Sequence, residues 1–150
     1  MRAWLEGRRQ DYTHFITLSS NDPMRTTVRA RVDLLEWDAR MNREIVGGKW
    51  QKQLSHKRIV WFACLEGIGA SRHWHLLFRL GWEITPSRLD YVDVEGLDNI
   101  ADRVWRKLVP SGSTKTLLIE DHGARDYVTK RLDRLDHLSE FVDSFELKRS

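Results

Sequence analysis

The chain has little cysteine, little proline and no long hydrophobic run, and each of these shortages excludes a class of protein. The single cysteine, Cys64, cannot form an internal disulfide, which is typical of proteins in reducing compartments. The longest uninterrupted apolar run, Ile59 to Leu65, is far too short to span a membrane. Glu6 places a charge where a secretory signal peptide would have its apolar centre. We therefore expect a cytoplasmic protein, in a bacterium or inside a host cell, with no membrane partner.

The chain also lacks repeats, low-complexity tracts and linker-like segments, so its 150 residues predict one domain covering 1–150. Seven Trp, five Phe and three Tyr are too many large apolar side chains for a disordered chain, and nine Gly with three Pro are too few breakers. A chain of this length can bury a real core without disulfides. We therefore expect no second, helicase-type domain.

Positive charges exceed negative charges by three, and the surplus is concentrated in two regions. Residues 49–58 and 103–118 each contain four Lys or Arg residues and no acid. Such segments are either solvated faces or surfaces that contact phosphates in a salt-dependent way. The first segment also contains a tryptophan on which a base could stack. We predict nucleic-acid contacts at Lys49, Trp50, Lys52, Lys57 and Arg58.

The first half of the chain predicts a strand followed by one long helix. Phe15 to Ser19 alternates and is rich in strand-forming residues. Asn21 to Pro23 is typical of a helix start, and Gly47 with Gly48 predicts its end. The residues that recur at helical spacing, and so predict the buried face, are Met24, Val28, Val32, Leu35, Ala39 and Ile45.

The second half predicts a hairpin, a helix, a strand and a last helix. Arg58 to Glu66 forms a buried strand in this interpretation, and His73 to Leu80 is the strand that returns. Trp61 and Trp105 fall on apolar faces and are expected in the core. The later elements are a helix over Asp98 to Leu108, a strand over Thr114 to Glu120 and a helix over 124–138. The order β-α-β-β-α-β-α predicts an α+β fold, with helices packed on a mainly antiparallel sheet.

Two histidines on the returning strand are the first candidate functional residues. His73 and His75 are two residues apart, so both imidazoles leave the same face, about 7 Å apart along the strand. If Glu66 pairs with His73 across the hairpin, Cys64 pairs with His75 and all four share that face. Two imidazoles and a carboxylate suit a divalent metal, although ordinary half-exposed histidines are the simpler interpretation. A structural zinc site is disfavoured because Cys64 has no second thiol.

A second candidate group lies near the end of the chain. Tyr127 and Lys130 are three apart on the predicted last helix, so the phenol and the ammonium share a face, with Arg131 beside them. A phenol with a pKa near 10 is a poor nucleophile at neutral pH, and an adjacent cation can stabilise phosphate charge. The same spacing also occurs on ordinary solvated helix faces.

The order of these motifs resembles the HUH endonuclease superfamily, in the arrangement of single-tyrosine rolling-circle replication initiators (Rep proteins). The resemblance covers residues 14–131. It includes a first strand with the sequence FITLSSN, His73-Trp74-His75 as the two histidines around a bulky residue, and Tyr127 with Lys130 as the YxxK pattern. Glu66 stands where many members have a third, acidic metal ligand.

The resemblance implies a fold, a reaction and partners. The fold is a five-stranded antiparallel sheet, and Glu66, His73 and His75 hold Mg²⁺ or Mn²⁺. Tyr127 is then the nucleophile and Lys130 neutralises charge on the phosphate, while Arg131 joins the residues that contact nucleic acid. The substrate is single-stranded DNA at a replication origin, which can include a hairpin, and the host supplies a helicase and a polymerase. A single-tyrosine HUH transposase and a non-catalytic single-strand-binding module on the same scaffold are the alternatives.

Overall fold

The described strands of this protein form one antiparallel sheet, and the two described helices pack on one of its faces. A computed structural model describes residues 12–54, 57–67, 71–80, 94–119 and 140–144. Its elements are β1 (His14–Ser19), α1 (Thr27–Ile45), a 3-10 turn (Trp50–Lys52), β2 (Ile59–Glu66), β3 (His73–Leu80), α2 (Val94–Leu108), β4 (Ser113–Leu118) and β5 (Glu140–Asp143). The strand order is β4-β1-β3-β2-β5, and every pairing is antiparallel. The predicted α+β fold with a five-stranded antiparallel sheet is confirmed.

The main core lies between the sheet and the two helices. Alternate residues of β3, including Trp74, Leu76 and Phe78, point from the sheet into this layer, because side chains on a strand leave opposite faces in turn. Trp61 and Trp105 are buried in the same cluster, as the sequence predicted. A smaller apolar cluster occupies the opposite face of the sheet, with these buried members: Tyr12, Phe15, Val60, Phe62, Leu77 and Ile119.

Helix α1 differs from the sequence prediction in both its start and its buried face. It begins at Thr27, after the N-cap Thr26, whose side chain accepts a hydrogen bond from the Arg29 amide, and so it starts four residues after Pro23. Four of the six residues of the predicted apolar stripe are exposed, Met24 at 84%, Val28 at 74% and both Val32 and Leu35 at 41%, whereas Ile45 is buried as predicted. The buried face is instead Ala30, Asp33, Leu34, Trp37, Asp38, Met41, Asn42 and Ile45.

The three polar residues on this buried face explain the error, because each has a specific partner. Asp33 accepts two hydrogen bonds from Arg25, at 2.5 and 2.9 Å. The pKa of Arg25 is raised by this bond to Asp33. With its polar groups paired, this face can bury Trp37 and Met41, and large apolar side chains gain most from burial.

A buried hydrogen-bond network attaches the start of β2 to α1. The Asn42 carboxamide accepts from the Ile59 amide at 3.1 Å and donates to the Asp38 carbonyl at 3.0 Å. The Trp61 indole donates to the Asp38 carboxylate at 2.8 Å. These bonds set the position of β2, the strand that ends at Glu66.

The remaining elements agree with the sequence to different degrees. Helix α2 begins four residues before the predicted Asp98, and β4 matches the predicted strand to within two residues at each end. Strand β5 was not predicted as an element from the pattern. The predicted helix over 124–138 lies outside the described residues. Among the helices that the structure describes, none is long and apolar enough to cross a membrane.

Candidate metal centre

The β2–β3 hairpin brings Glu66, His73 and His75 together. Glu66 pairs with His73 and Cys64 with His75 in the register of the two strands, as the sequence predicted. Nε2 of His73 and Nε2 of His75 lie 3.2 and 3.1 Å from the same oxygen, Oε2 of Glu66. One potential ligand atom from each residue lies within 4.8 Å of the other two. The three side chains could therefore hold a single metal ion.

His75 is the most constrained member of this cluster. Its side chain is 3% exposed. Its ring stacks on Phe15 of β1, with centroids 5.3 Å apart and planes at 18°. Its Nδ1 lies 3.1 Å from Oγ1 of Thr17, the residue opposite it on β1. Packing and the hydroxyl together aim Nε2 at Glu66, as an outer partner does for a metal-ligating histidine.

His73 is half-buried and is oriented by the hairpin connection. Its Nδ1 lies 3.3 Å from the carbonyl oxygen of Ser71. The connection begins at Gly67, whose φ of +74° favours glycine, and a Cβ there would lie 2.3 Å from that same carbonyl oxygen. The close approach of Gly67 to Ser71 therefore depends on the absence of a side chain.

The outer partners of the two histidines are compatible with a cation between the members of the cluster. A carbonyl oxygen only accepts, so in a neutral His73 ring the bond to Ser71 places the proton on Nδ1 and leaves a lone pair on Nε2. The Thr17 hydroxyl can accept from Nδ1 of His75, and that tautomer gives the second Nε2 a lone pair as well. Two lone pairs then face one carboxylate oxygen. Ligands about 2.1 Å from a metal and at right angles are about 3.0 Å apart, which is close to the spacing here.

The donor set leaves the identity of the metal open. Imidazole suits zinc and several transition metals, whereas carboxylate oxygen suits Mg²⁺ and Mn²⁺. Among the described residues, the three donors alone would leave coordination positions for water or for the oxygens of a substrate. A set of this kind is compatible with an open metal site.

Cys64 lies beside the cluster on the same face but is engaged elsewhere. Its thiol donates to the carbonyl oxygen of His75 at 3.7 Å. Burial, with a smaller effect of the Glu66 charge, raises the pKa of the Cys64 thiol to about 12. The thiol therefore stays protonated at neutral pH, which agrees with leaving it out of the ligand set.

The predicted nucleic-acid contacts of residues 49–58 lie at the other end of β2 from Glu66, His73 and His75, which we call the metal cluster. Strand β2 rises about 3.3 Å per residue, which separates its two ends by about 23 Å. Lys49 and Lys52 are exposed, and Lys57 is half-buried. Their contacts with nucleic acid stay predictions.

Trp50 and Arg58 have structural partners that the sequence did not suggest. Trp50 is 8% exposed, and the guanidinium of Arg58 lies 5.6 Å from its ring centroid. Arg58 also donates to the carbonyl oxygens of Gln51 and Gln53, both at 2.6 Å. In this conformation Trp50 is an interior residue capped by Arg58, so its stacking on a base stays a prediction that needs local rearrangement.

Three predicted site residues, Tyr127, Lys130 and Arg131, lie outside the described residues.

Two residues that shape the cluster, Thr17 and Phe15, were not predicted to contact it. Their positions follow from the pairing of β1 with β3, which are far apart in the sequence. Thr17 belongs to the FITLSSN strand, and knowing the register of that strand would have identified it. His14 is buried with Nδ1 2.7 Å from Oγ1 of Thr13, and it is not part of the cluster.

Comparisons of this chain with models of protein families, with curated proteins and with solved structures found no match.

Proposed function

We propose that this protein is a metal-dependent endonuclease that nicks and rejoins single-stranded DNA to initiate rolling-circle replication. The observation that carries the proposal is that two imidazole nitrogens converge on one carboxylate oxygen. Nε2 of His73 and Nε2 of His75 lie 3.2 and 3.1 Å from Oε2 of Glu66. This is the ligand set that the resemblance to HUH endonucleases implies for these three positions.

The fold gives independent support. The resemblance implies a five-stranded antiparallel sheet, and the described strands form one. His73-Trp74-His75 lies on β3, the middle strand of the order β4-β1-β3-β2-β5, where Trp74 is buried in the core and both histidines face away from the helices. The pair of imidazoles therefore has a rigid base, which a reactive site requires.

The proposed reaction is a transesterification at one phosphodiester. The phenolic oxygen of Tyr127 forms a bond to phosphorus and the bond from phosphorus to the 3′ oxygen breaks, which leaves a 5′-phosphotyrosine and a free 3′-hydroxyl. The phenol gives up its proton and the 3′ oxygen takes up one. The number of phosphate ester bonds is unchanged, so the reaction can run backwards and close a DNA circle.

The remaining site residues have defined roles in this scheme. Mg²⁺ or Mn²⁺ held by Glu66, His73 and His75 would withdraw charge from a phosphate oxygen and so make the phosphorus more electrophilic. Lys130 compensates the negative charge that develops on the phosphate, and Arg131 contacts the DNA backbone. The free 3′-hydroxyl primes synthesis by a host polymerase, and a host helicase separates the strands.

The test is a covalent adduct on a denaturing gel. Labelled single-stranded DNA from the region that flanks the gene is incubated with the protein and Mn²⁺. We expect a protease-sensitive shifted band with the wild-type chain. The Tyr127→Phe variant should give no band, whereas Tyr91→Phe, the matched control, should behave as the wild type. Glu66→Gln should lose the adduct, and Glu36→Gln, an exposed carboxylate on α1, should keep it.

The outcomes separate the proposal from its alternatives. An adduct that persists in Tyr127→Phe would contradict the assignment of the nucleophile. DNA retention that high salt reverses, with no adduct for any variant, would instead indicate a binding module. If Tyr127→Phe and His73→Ala restore the adduct only when they are mixed, the tyrosine acts on a partner's metal site, as in single-tyrosine transposases.

A further inference from the structure

A cleft between the two helices is lined almost entirely by charged side chains. It has a volume of about 420 Å³ and is lined by Arg40, Arg43, Glu44, Arg103, Val104 and Lys107. We call it the interhelical basic cleft. It holds four cations and one carboxylate, in a chain whose whole net charge is +3. This local excess of positive charge favours an anionic ligand.

Two of the four cations already have partners, and these partners hold the lining in place. Arg103 donates to Glu44 across the two helices at 2.8 Å, and Arg40 lies 3.7 Å from Glu36 on its own helix. The pKa of Glu44 is lowered by its hydrogen bond to Arg103 and by the nearby charges of Arg103 and Lys107. Glu44 is therefore ionised and keeps Arg103 at the mouth of the cleft.

The other two cations are available to a ligand. Within the part of the chain that the structure describes, neither Arg43 nor Lys107 has a carboxylate at ion-pair distance. Both side chains are exposed. Arg43 comes from the last turn of α1 and Lys107 from the last turn of α2, so the two charges approach the cleft from different helices.

The lining fits phosphate better than it fits a base. Guanidinium groups bind phosphate oxygens in a bidentate fashion, and lysine adds a point charge. The one apolar lining residue is Val104, and no aromatic ring is among the described residues that line the cleft. A site with several cations and no stacking surface reads charge and not base identity.

We infer that the interhelical basic cleft binds the sugar–phosphate backbone of nucleic acid, without sequence preference, as a second contact remote from the metal cluster. The cleft belongs to the helical layer, and Val104 at its base is part of the main core. Glu66, His73 and His75 lie on the opposite face of the sheet. Two further cations, Lys49 and Lys52, follow the end of α1 in the chain and are exposed.

The experiment measures how binding of a short DNA duplex of arbitrary sequence depends on salt. A duplex hides the base faces, so it isolates backbone contacts. Fluorescence anisotropy is recorded in chelator between about 50 and 200 mM salt, so that neither cleavage nor metal binding contributes. The test variant carries Arg43→Gln and Lys107→Gln together. The control for net charge is Arg31→Gln with Arg106→Gln, which removes the same charge from the same two helices outside the cleft, where Arg106 is already paired with Asp102.

The expected result is a smaller salt dependence for the cleft variant alone. Each lost phosphate contact lowers the slope of log K against log salt by about 0.9, so the double substitution should lower it by about two units. The control should keep the wild-type slope. Equal slopes for the two double variants, or no wild-type binding at the lowest salt, would overturn the inference.

A competition step distinguishes DNA from an acidic protein partner. Poly-glutamate and unlabelled DNA are compared as competitors at equal charge concentration. If poly-glutamate displaces the duplex as well as DNA does, the inference is overturned, because the cleft then selects negative charge in general. Because every measurement is made in chelator, the result does not depend on whether the chain nicks DNA.

Discussion

Thr17 on β1 and His75 on β3 are cross-strand partners, and the hydroxyl oxygen of one lies 3.1 Å from Nδ1 of the other. This contact orients the imidazole so that Nε2 faces Glu66, and when the hydroxyl accepts the Nδ1 proton, the Nε2 lone pair is left for a metal. The orientation of the cluster of Glu66, His73 and His75 therefore depends on β1 as well as on the hairpin that carries these three residues.

Replacing Thr17 by Val should weaken metal binding by roughly tenfold, because it removes the hydroxyl that holds Nδ1 of His75 and keeps the shape of the side chain. Isothermal titration with Mn²⁺ measures the effect. Thr17→Ser retains the hydroxyl and should bind Mn²⁺ almost as the wild type does. Wild-type affinity in Thr17→Val would show that the hydroxyl does not orient the imidazole.

Replacing Gly67 by Ala should destabilise the fold and weaken metal binding together. The new Cβ would lie 2.3 Å from the Ser71 carbonyl oxygen, in a backbone with φ of +74°, so the connection before His73 must move. We expect a loss of about 1 to 3 kcal/mol in the free energy of unfolding, measured by urea denaturation. Gly48→Ala is the control, because a Cβ there meets nothing within 4 Å. Equal stability of the two variants would contradict the strain argument.

Replacing Asn42 by Leu should cost about 2 to 3 kcal/mol of stability, although leucine is more hydrophobic. The Ile59 amide would lose its buried acceptor, and the Asp38 carbonyl would lose a donor. Chemical denaturation checks this, with Glu36→Leu on the exposed side of the same helix expected to change stability by less than about 0.5 kcal/mol. A neutral Asn42→Leu would mean that the network contributes little to holding β2.

The metal cluster could be predicted from the sequence because the hairpin is local. His73 and His75 share a face by strand periodicity, and a short connection leaves few registers in which Glu66 can pair with His73. Thr17 could not be predicted in the same way, since its pairing with His75 joins positions 58 residues apart. Contacts at that distance follow from sheet order, which periodicity does not encode.

Helix α1 shows where a hydrophobic pattern misleads. Val28 and the other residues of its exposed stripe have good helical spacing, yet the face that packs contains Asp38 and Asn42. These polar groups look like surface residues in a sequence, and they are buried because the Trp61 indole and the Ile59 amide satisfy them. Paired polar groups thus concealed the face with the larger apolar side chains.

The stability of the fold should also depend on His14 in mildly acidic solution. This side chain is 7% exposed and lies edge-on to Phe78 in the core layer. Desolvation by burial lowers the pKa of His14 below its ordinary value near 6.5. In the unfolded chain the imidazole takes up a proton near pH 6.5, whereas in the folded chain it stays neutral to lower pH. The stability contributed by the neutral group is therefore present above pH 6.5 and is lost as the pH falls towards the folded pKa.

We expect the free energy of unfolding to fall less steeply below pH 6.5 in His14→Gln than in the wild type. Urea denaturation at several pH values, in chelator, gives both curves. The comparison uses their slopes, because glutamine at a buried position can lower stability at every pH and the other histidines titrate equally in both chains. Parallel curves would show that His14 takes up its proton as readily in the folded chain as in the unfolded one. The chemical shift of the His14 ring protons, followed by NMR through the same pH range, reports the folded pKa directly and should place it below that of an exposed histidine.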